Sequence, residues 1–336
     1  MVTIRDVAAH AGVGESTVSR VLNESPRVSP ETRSRVLTAI DELHYRPNPL
    51  ARGLSLGRCQ TVGVVVPFFT HASAVERLRG VGAAMDDSRY DLVLFNVESP
   101  RHRSEHVATL HRRDRADGLL VLSLPLPPDE LERFTHAQVP VVLVDTRGDG
   151  VPTVVTDDVE GGRIATRHLV ALGHEHIAFI GEDPDNDFGF SSSAQREVGF
   201  REVMRDAGLT VQPELIRYAK HDRTAAQRVT EQLLSQRVRP TAVFAASDIQ
   251  ATGVLAAARA AGLHVPGDIS VVGFDDIEIS SYAGLTTVRQ PLYESGRLGA
   301  QLLLDALARG ERPAAAAHEL PLELVERSTT APPRRR

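Results

Sequence analysis

The chain has 336 residues and a formal net charge of −6 at pH 7, with 42% hydrophobic and 24% charged residues. These values are typical of a globular protein of two or three compact units and exclude a fibrous or largely disordered chain. Cys59 is the single cysteine, so neither a disulfide nor a cysteine-based zinc site is expected. Without an apolar run of roughly 20 residues or a signal-peptide pattern, the sequence favours a cytoplasmic protein with no membrane partner.

The first sixty residues predict three short helices separated by turns. Thr3 is placed to cap a helix whose third residue is Asp6, an approximate capping box. A turn over residues 12–14 leads to a second helix over about 15–23, and Ser29 caps a third. The residues that the third helix is expected to bury are Val36, Leu37, Ile40 and Leu43.

The second of these helices has two distinct faces. At 100° per residue, Val18, Val21 and Leu22 share one side. The opposite side carries Glu15, Ser16, Ser19, Arg20 and Asn23. Small hydroxyl residues and one arginine after a glycine turn are typical of a recognition helix, because arginine can bind guanine O6 and N7. A solvated surface helix is the alternative interpretation.

From Thr61 onward, short valine-rich runs alternate with longer amphipathic segments. Runs such as "TVGVVVP", "VPVVLVD" and "ISVVGFDD" predict strands buried on both faces, as in a parallel sheet of βαβ units. Two groups, about 61–157 and 174–283, predict two doubly wound lobes. No sequence repeat beyond this two-fold architecture is evident. The expected fold is thus an all-α helix-turn-helix head joined by a hinge to an α/β body of two parallel-sheet lobes.

These patterns define the expected domain boundaries. The head covers residues 1–46, the hinge 47–60 and the two-lobed body 61–330. Within the body, the first lobe combines about 61–158 with 291–309, and the second combines 159–284 with 310–330. The tail, 331–336, is expected to be disordered.

Two N-terminal segments carry a family resemblance. "TIRDVAAHAGVGESTVSRVLN" and "RVSPETRSRVLTAIDELHYRPN" resemble the DNA-binding head of the lac repressor (LacI/GalR) family of transcriptional regulators. Later segments such as "PTAVFAASDIQATGVLAAARAAGLHVPGDISVVGFDD" resemble the family's periplasmic-binding-protein-like body, so the resemblance covers residues 3 to about 328. It implies a homodimeric repressor that binds a near-palindromic operator under the control of a small molecule, a sugar or sugar derivative.

The resemblance also implies roles for residues of the head and hinge. The implied base-reading residues are Glu15, Ser16 and Arg20; the implied phosphate contacts are Thr17, Ser19, Asn23 and Ser29; Thr3 and Asn48 are implied near the DNA backbone. Gly14 departs from the usual serine cap, and a carboxylate such as that of Glu15 is repelled by phosphate unless it accepts from cytosine N4. In the hinge, Leu54 holds the place of a leucine that wedges between base pairs, whereas a plain linker is the alternative.

In the body, the resemblance implies an effector site in the cleft between the lobes. The implied residues are Ser73, Asp145, Arg196, Ser247, Asp275 and Gln290. Asp275 could instead belong to a turn or to the contact between lobes. Relatives often carry an aromatic pair where this chain has Ser73 and Ala74. The phenylalanines that could substitute, or belong to the core, are Phe68, Phe69, Phe188 and Phe190.

Enzyme signatures are weak. "GVGES" lacks the lysine and preceding strand of a P-loop. His102, His106 and His111 could share a helix side, but a solvated face is favoured over a zinc site. The adjacent pairs Asp157–Asp158 and Asp275–Asp276 point to different sides and do not form a glycosidase pair. We expect no enzyme activity, cofactor or metal; the rival class is a sugar-binding protein or sugar-processing enzyme without a DNA-binding role.

Overall fold

The computed structural model describes residues 2–22, 25–46, 59–110, 115–137 and 139–334. The chain divides into two units, Met1–Cys59 and Gln60–Arg336. Most of the predicted hinge, including Asn48 and Leu54, lies outside the described residues, as does Asn23.

The described part of the first unit contains three helices, α1 (Ile4–Ala11), α2 (Glu15–Leu22) and α3 (Pro30–Glu42). Thr3 and Asp6 form the predicted capping box, in which the Thr3 amide donates to the Asp6 carboxylate at 2.7 Å. Gly12 ends α1 with φ 64°, a left-handed conformation that glycine adopts without steric cost and that turns the chain toward α2. The predicted helix-turn-helix is confirmed.

The core of this unit is built from small side chains on all three helices. Val7, Val18 and Val36 are 0% exposed, and Ala39 is buried beside them. The prediction that Leu37 is buried is wrong: it is 47% exposed, because it lies one residue, or 100°, round the helix from Val36. Ile40 and Leu43 are only partly buried against this core.

The second unit contains two six-stranded sheets. The first sheet comprises β1 (Thr61–Pro67), β2 (Asp91–Val97), β3 (Gly118–Leu122), β4 (Val141–Val144), β5 (Thr153–Val155) and β11 (Ala317–Glu319). The second comprises β6 (Ile177–Gly181), β7 (Ile216–Tyr218), β8 (Ala242–Ala245), β9 (Ser270–Asp275), β10 (Thr286–Arg289) and β12 (Glu323–Val325). Their orders are β11-β5-β4-β3-β1-β2 and β12-β10-β9-β8-β6-β7; among the described strands, the β10–β12 pair alone is antiparallel. The predicted pair of doubly wound lobes is confirmed.

Helices cover both faces of each sheet. The helices of the first lobe are α4 (Ala72–Met85), α5 (Pro100–Leu110), α6 (Pro128–His136) and α12 (Leu292–Arg309). Those of the second are α7 (Asp158–Ala171), α8 (Ser192–Asp206), α9 (Arg223–Leu234), α10 (Asp248–Ala260) and α11 (Glu278–Tyr282), with a 3₁₀ turn at Pro213–Leu215. Two apolar clusters, one on each face of the sheet, form the core of each lobe.

The chain crosses between the lobes three times, after β5, after β10 and between β11 and β12. The assignment of 310–330 to the second lobe is therefore wrong in part, because Ala317–Glu319 pairs in parallel with Thr153–Val155 of the first sheet. The prediction of a disordered tail is also wrong for residues 331–334. Ala331 exchanges hydrogen bonds with Ser270, and Arg334 forms a 2.7 Å ion pair with Asp268.

Candidate functional site

The predicted base-reading residues lie together on the outer side of α2. Glu15, Ser16 and Arg20 are exposed, opposite the buried Val18 and Val21. The predicted phosphate contacts Thr17 and Ser19 are half-buried on the same helix. One partner of this surface was not anticipated, since Arg5 of α1 forms a 3.1 Å ion pair with Glu15 and neutralises its charge locally.

Two other predicted DNA contacts act as helix caps. Thr3 caps α1, and Ser29 caps α3 by accepting from the Thr32 amide. Both are exposed, so each cap presents its hydroxyl group at the surface of the head.

In the body, a cavity of about 670 Å³ lies between the lobes. It opens where the carboxyl ends of strands from both sheets face each other, which is where ligands bind in doubly wound folds. Among the predicted effector residues, those that line it are Ser73, Asp145, Arg196, Asp275 and Gln290. Ser247 does not line it: it is 2% exposed and caps α10 by accepting from the Gln250 amide.

Arg196 forms the floor of the cavity on the side of the second lobe. Its Nε donates to Asp158 at 2.8 Å and its Nη1 to the Ala246 carbonyl at 2.6 Å, while the guanidinium lies 3.6 Å above the Phe274 ring. Burial opposes the guanidinium charge, but Asp158 and Asp275 together raise the pKa of Arg196. The charge is thus retained in a buried site, ready for an oxygen ligand.

Asp275, at the end of β9, is hydrogen-bonded to Gln290, which lies where the chain leaves β10 and crosses to the first lobe. The Gln290 amide donates to Asp275 at 2.6 Å, and Asp275 has φ 117°, a strained conformation for a residue other than glycine. Burial raises the pKa of Asp275, and the charges of Arg196 and His221 offset this only in part. A hydroxyl group that donates to this carboxylate would relieve its desolvation.

The first lobe contributes a second arginine, Arg77, which sequence reasoning missed. Arg77 is 3% exposed and forms a 2.9 Å ion pair with Asp145, which also accepts from Ser123 at 2.8 Å. Its Nη2 lies 3.3 Å from Gln290 Oε1. Hydrophobic periodicity predicts burial of apolar residues on a helix, so it gave no indication that an arginine such as Arg77 would be buried.

Aromatic and imidazole rings from both lobes meet at the cavity wall. Phe68 and His71 of the first lobe stack at 5.1 Å between ring centroids, and His71 stacks on His221 of the second at 5.0 Å. Phe68 also meets Phe188 edge-on at 5.4 Å, and Phe188 stacks on Phe190 at 5.2 Å. Three of the four phenylalanines considered from the sequence therefore line the cavity. The fourth, Phe69, is 40% exposed and is not among the lining residues.

A histidine–glutamate pair closes the second-lobe side. His221 and Glu182 are 2.7 Å apart. Burial works against the charge of both groups, yet their contact raises the pKa of His221 and lowers that of Glu182. Burial and the nearby His221 charge lower the pKa of His71. Glu182 directly follows β6, a position that could have identified it because strand ends line such clefts.

The other predicted residues behave as structural groups. His106 contacts the Asn96 carbonyl at 3.2 Å, and His111 lies outside the described ranges. No metal-binding cluster occurs among the described residues. Asp157 caps α7 whereas its neighbour Asp158 binds Arg196, a contact that the sequence did not indicate. Asp276 pairs with Arg289 and Arg327 rather than lining the cavity. Within the part of the chain that is described, no helix is long and apolar enough to cross a membrane.

A helix-turn-helix head and a two-lobed body with a ligand cavity define a ligand-responsive DNA-binding regulator. Residues 3–48 match the family model for bacterial regulatory proteins of the lacI family, and residues 166–330 match the periplasmic binding protein-like domain. The repressor PurR of Erwinia tasmaniensis is 34% identical over 337 residues, which cover 98% of this chain and 97% of PurR.

Solved structures of transcriptional regulators are similar to this chain over nearly its whole length. A lac repressor dimer bound to operator and the anti-inducer ONPF shares 30% identity and a TM-score of 0.84 over 98% of this chain and 99% of the repressor. A CelR–cellobiose complex shares 33% identity and a TM-score of 0.72 over 98% and 100% of the two chains. The chain belongs to the lacI family of bacterial regulatory proteins. It is a DNA-binding transcriptional regulator with an effector-binding domain, in a family of repressors rather than enzymes, as the sequence predicted.

Proposed function

We propose that this regulator is a repressor whose affinity for operator DNA is controlled by a neutral sugar in the cleft. The observation that carries this proposal is that each lobe places a guanidinium and a carboxylate in the cavity wall, Arg77 with Asp145 from the first lobe and Arg196 with Asp275 from the second. A sugar hydroxyl both donates and accepts, so neighbouring acceptor and donor groups bind it with both of its functions satisfied.

The charge of the cavity wall favours a neutral ligand over an anionic one. The acidic lining residues are Asp145, Glu182, Asp183, Asp185, Asp187, Asp222 and Asp275. The basic lining residues are Arg77, Arg196 and Lys220, with His221, whose pKa is raised by its contact with Glu182. This excess of carboxylates repels phosphates and carboxylates, so sugar phosphates and acid sugars are disfavoured. The structure of CelR with cellobiose shows that a relative binds a neutral disaccharide.

The head is proposed to bind DNA as the family resemblance implies. Arg20, with Glu15 and Ser16, would contact base edges in the major groove. The proposed phosphate and backbone contacts are Thr3, Thr17, Ser19, Asn23, Ser29 and Asn48, and Leu54 is the proposed minor-groove wedge. Two heads reading inverted half-sites require a near-palindromic operator and a homodimer. Such a regulator acts where its DNA lies, in the cytoplasm.

A dimer interface is proposed on the face formed by α4, α10 and α11. Val75, Ile279 and Tyr282 are 41%, 44% and 78% exposed there, beside a second cavity of about 710 Å³. An exposed apolar face of this kind is typical of a subunit interface, and the lac repressor structure is that of a dimer. Ile279→Asp should yield monomers by light scattering, whereas Val238→Asp, at an apolar residue that is 48% exposed and lies outside this face, should not.

The effector class is tested by thermal shift with cellobiose, ribose, glucose 6-phosphate and hypoxanthine. We expect a neutral sugar to raise the melting temperature of the wild type and to change operator affinity at least tenfold in fluorescence anisotropy. Arg196→Ala should abolish both effects, and Arg205→Ala, on an exposed residue of the same helix, should preserve them. Stabilisation by the phosphate or the heterocycle alone contradicts the proposal.

Lys220 offers an independent measurement, because it is the only lysine in the chain and lines the cavity. A bound sugar should slow the reaction of its amine with an acylating reagent, measured by peptide mass spectrometry. The N-terminal amine serves as an internal control. Equal protection of both amines would mean that the ligand does not occupy this cavity.

A further inference from the structure

The two lobes present an arginine at the same place in their folds. Arg77 lies on α4, the first helix after β1, and Arg196 lies on α8, the first helix after β6. Each precedes a helical glycine by three residues, Gly80 in "RLRG" and Gly199 in "REVG". Both arginines line the effector cavity and both are ion-paired with an aspartate.

The crossing helices hold the two arginines in the same way. A Cβ on Gly296 of α12 would lie 2.0 Å from the Arg77 carbonyl oxygen, and one on Gly162 of α7 would lie 2.1 Å from that of Arg196. These glycines also share a local pattern, "ESGR" in α12 and "EGGR" in α7. The glutamate and arginine of each pattern are ion-paired, at 2.8 Å and 3.1 Å. These matches are too short to reveal a repeat in the sequence, but the structure shows that they occupy equivalent places.

The side chains of Arg77 and Arg196 differ in their hydrogen bonds. The Nε of Arg196 donates to Asp158, whereas the Nε of Arg77 is buried without a partner. It is the sole buried side-chain nitrogen or oxygen atom in this condition among the described residues. An unpaired buried donor costs free energy, so its retention in a native protein calls for an explanation, such as stored strain, a functional role, or a bound water or ion.

We propose that Arg77 is a second effector-binding arginine, which donates from the first lobe to the same sugar that Arg196 contacts from the second. The proposal rests on the proposed function, since it concerns the ligand of that cavity. Arg77 donates to a hydroxyl oxygen, and the adjacent Asp145 accepts the hydrogen of that hydroxyl. A ligand held by both arginines bridges the lobes and fixes their separation.

The test compares lysine substitutions at three arginines by isothermal titration with cellobiose or ribose, whichever stabilises the wild type more. Arg77→Lys keeps the positive charge beside Asp145 but removes the planar guanidinium and its fixed set of donors. We expect it to lose at least tenfold in affinity, as expected for a lost charged hydrogen bond. Arg79→Lys is the matched control, because Arg79 lies on the same helix outside the effector cavity and is exposed. It should bind within twofold of the wild type, and Arg196→Lys should bind weakly.

The outcomes separate this proposal from the proposed function. Unchanged affinity of Arg77→Lys with weak binding by Arg196→Lys overturns the role of Arg77 and leaves the effector cavity in place. Unchanged affinity of both variants overturns both. If neither sugar binds the wild type, the carbohydrate proposal is wrong and the role of Arg77 as a sugar-binding residue is overturned with it.

A complementary measurement of whether the Arg77–Asp145 pair serves the fold is the melting temperature of the double variant Arg77→Met/Asp145→Asn. A buried ion pair retained for binding contributes little to stability, and its replacement by residues of similar volume is often neutral. We therefore expect a melting temperature at or above that of the wild type. A fall of more than about 5 °C would mean that the pair stabilises the fold, and would overturn the assignment.

Discussion

Replacing Gly296 with alanine should separate α12 from α4 and weaken both the fold and effector binding. The new Cβ would start 2.0 Å from the Arg77 carbonyl oxygen, whereas real Cβ contacts stay above 3.0 Å. The neighbouring atom belongs to the backbone of another helix, so no side chain can rotate to make room. The two helices must therefore move apart by about 1 Å.

The magnitude follows from two opposing effects. Overpacking a well-packed contact costs about 1 to 3 kcal/mol, while alanine in place of glycine gains up to about 1 kcal/mol of helix propensity. With the full gain in propensity, the net loss should be up to about 2 kcal/mol, which lowers the melting temperature of a unit of this size by up to about 8 °C. Because Arg77 moves with the helix, effector affinity should fall as well.

Gly82→Ala is the matched control for this experiment. Gly82 lies on α4 itself, and a Cβ there would meet no atom within 4 Å. It should gain helix propensity without a clash and melt up to about 4 °C above the wild type. Melting is followed by far-ultraviolet circular dichroism. If Gly296→Ala is as stable as Gly82→Ala and binds effector normally, the close helix contact has no energetic importance and the prediction is wrong.

Three further predictions concern DNA binding and pH. In anisotropy titrations, Arg20→Ala should weaken operator binding by about 1 to 3 kcal/mol with little effect on binding to random DNA. Arg27→Ala, at an exposed arginine of the head, is the control. An equal loss of affinity for both DNAs would assign Arg20 to a phosphate contact. Burial and the Asp275 charge raise the pKa of Asp248 from 3.8 to about 7. Because the folded state therefore binds the Asp248 proton more tightly than the unfolded state, the free energy of unfolding should fall as pH rises from about 4 to about 7. In urea titrations Asp248→Asn should lack that slope, and an identical slope would contradict the assignment. Contact with Glu182 raises the pKa of His221 above 6.5 despite burial, so its stabilising contribution is complete below pH 6.5 and is lost as pH rises through the raised pKa. The stability advantage of the wild type over His221→Gln should therefore shrink above pH 6.5, and a constant difference would exclude the ion pair.

Local sequence determined the elements that depend on neighbouring residues. The capping box at Thr3, the left-handed turn at Gly12 and the cap at Ser29 were predictable, because each uses contacts within four residues. Valine-rich runs likewise predicted the parallel strands, since a strand buried on both faces needs apolar side chains on both. The cleft followed from this topology, and five of the six predicted effector residues line it.

The identity of the polar residues that meet across that cleft depends on long-range packing. Arg77, Asp158, Glu182 and His221 lie on segments far apart in the chain, and no local pattern distinguishes a buried arginine from an exposed one. Ser247 was misplaced for the same reason, since a serine after a strand can face a ligand or cap the next helix. The course of Ala317–Glu319 into the first sheet, and the packing of residues 331–334, also depend on partners more than 60 residues away. Pairings at such distances are set by the packing of whole lobes, which the sequence of any one segment does not contain.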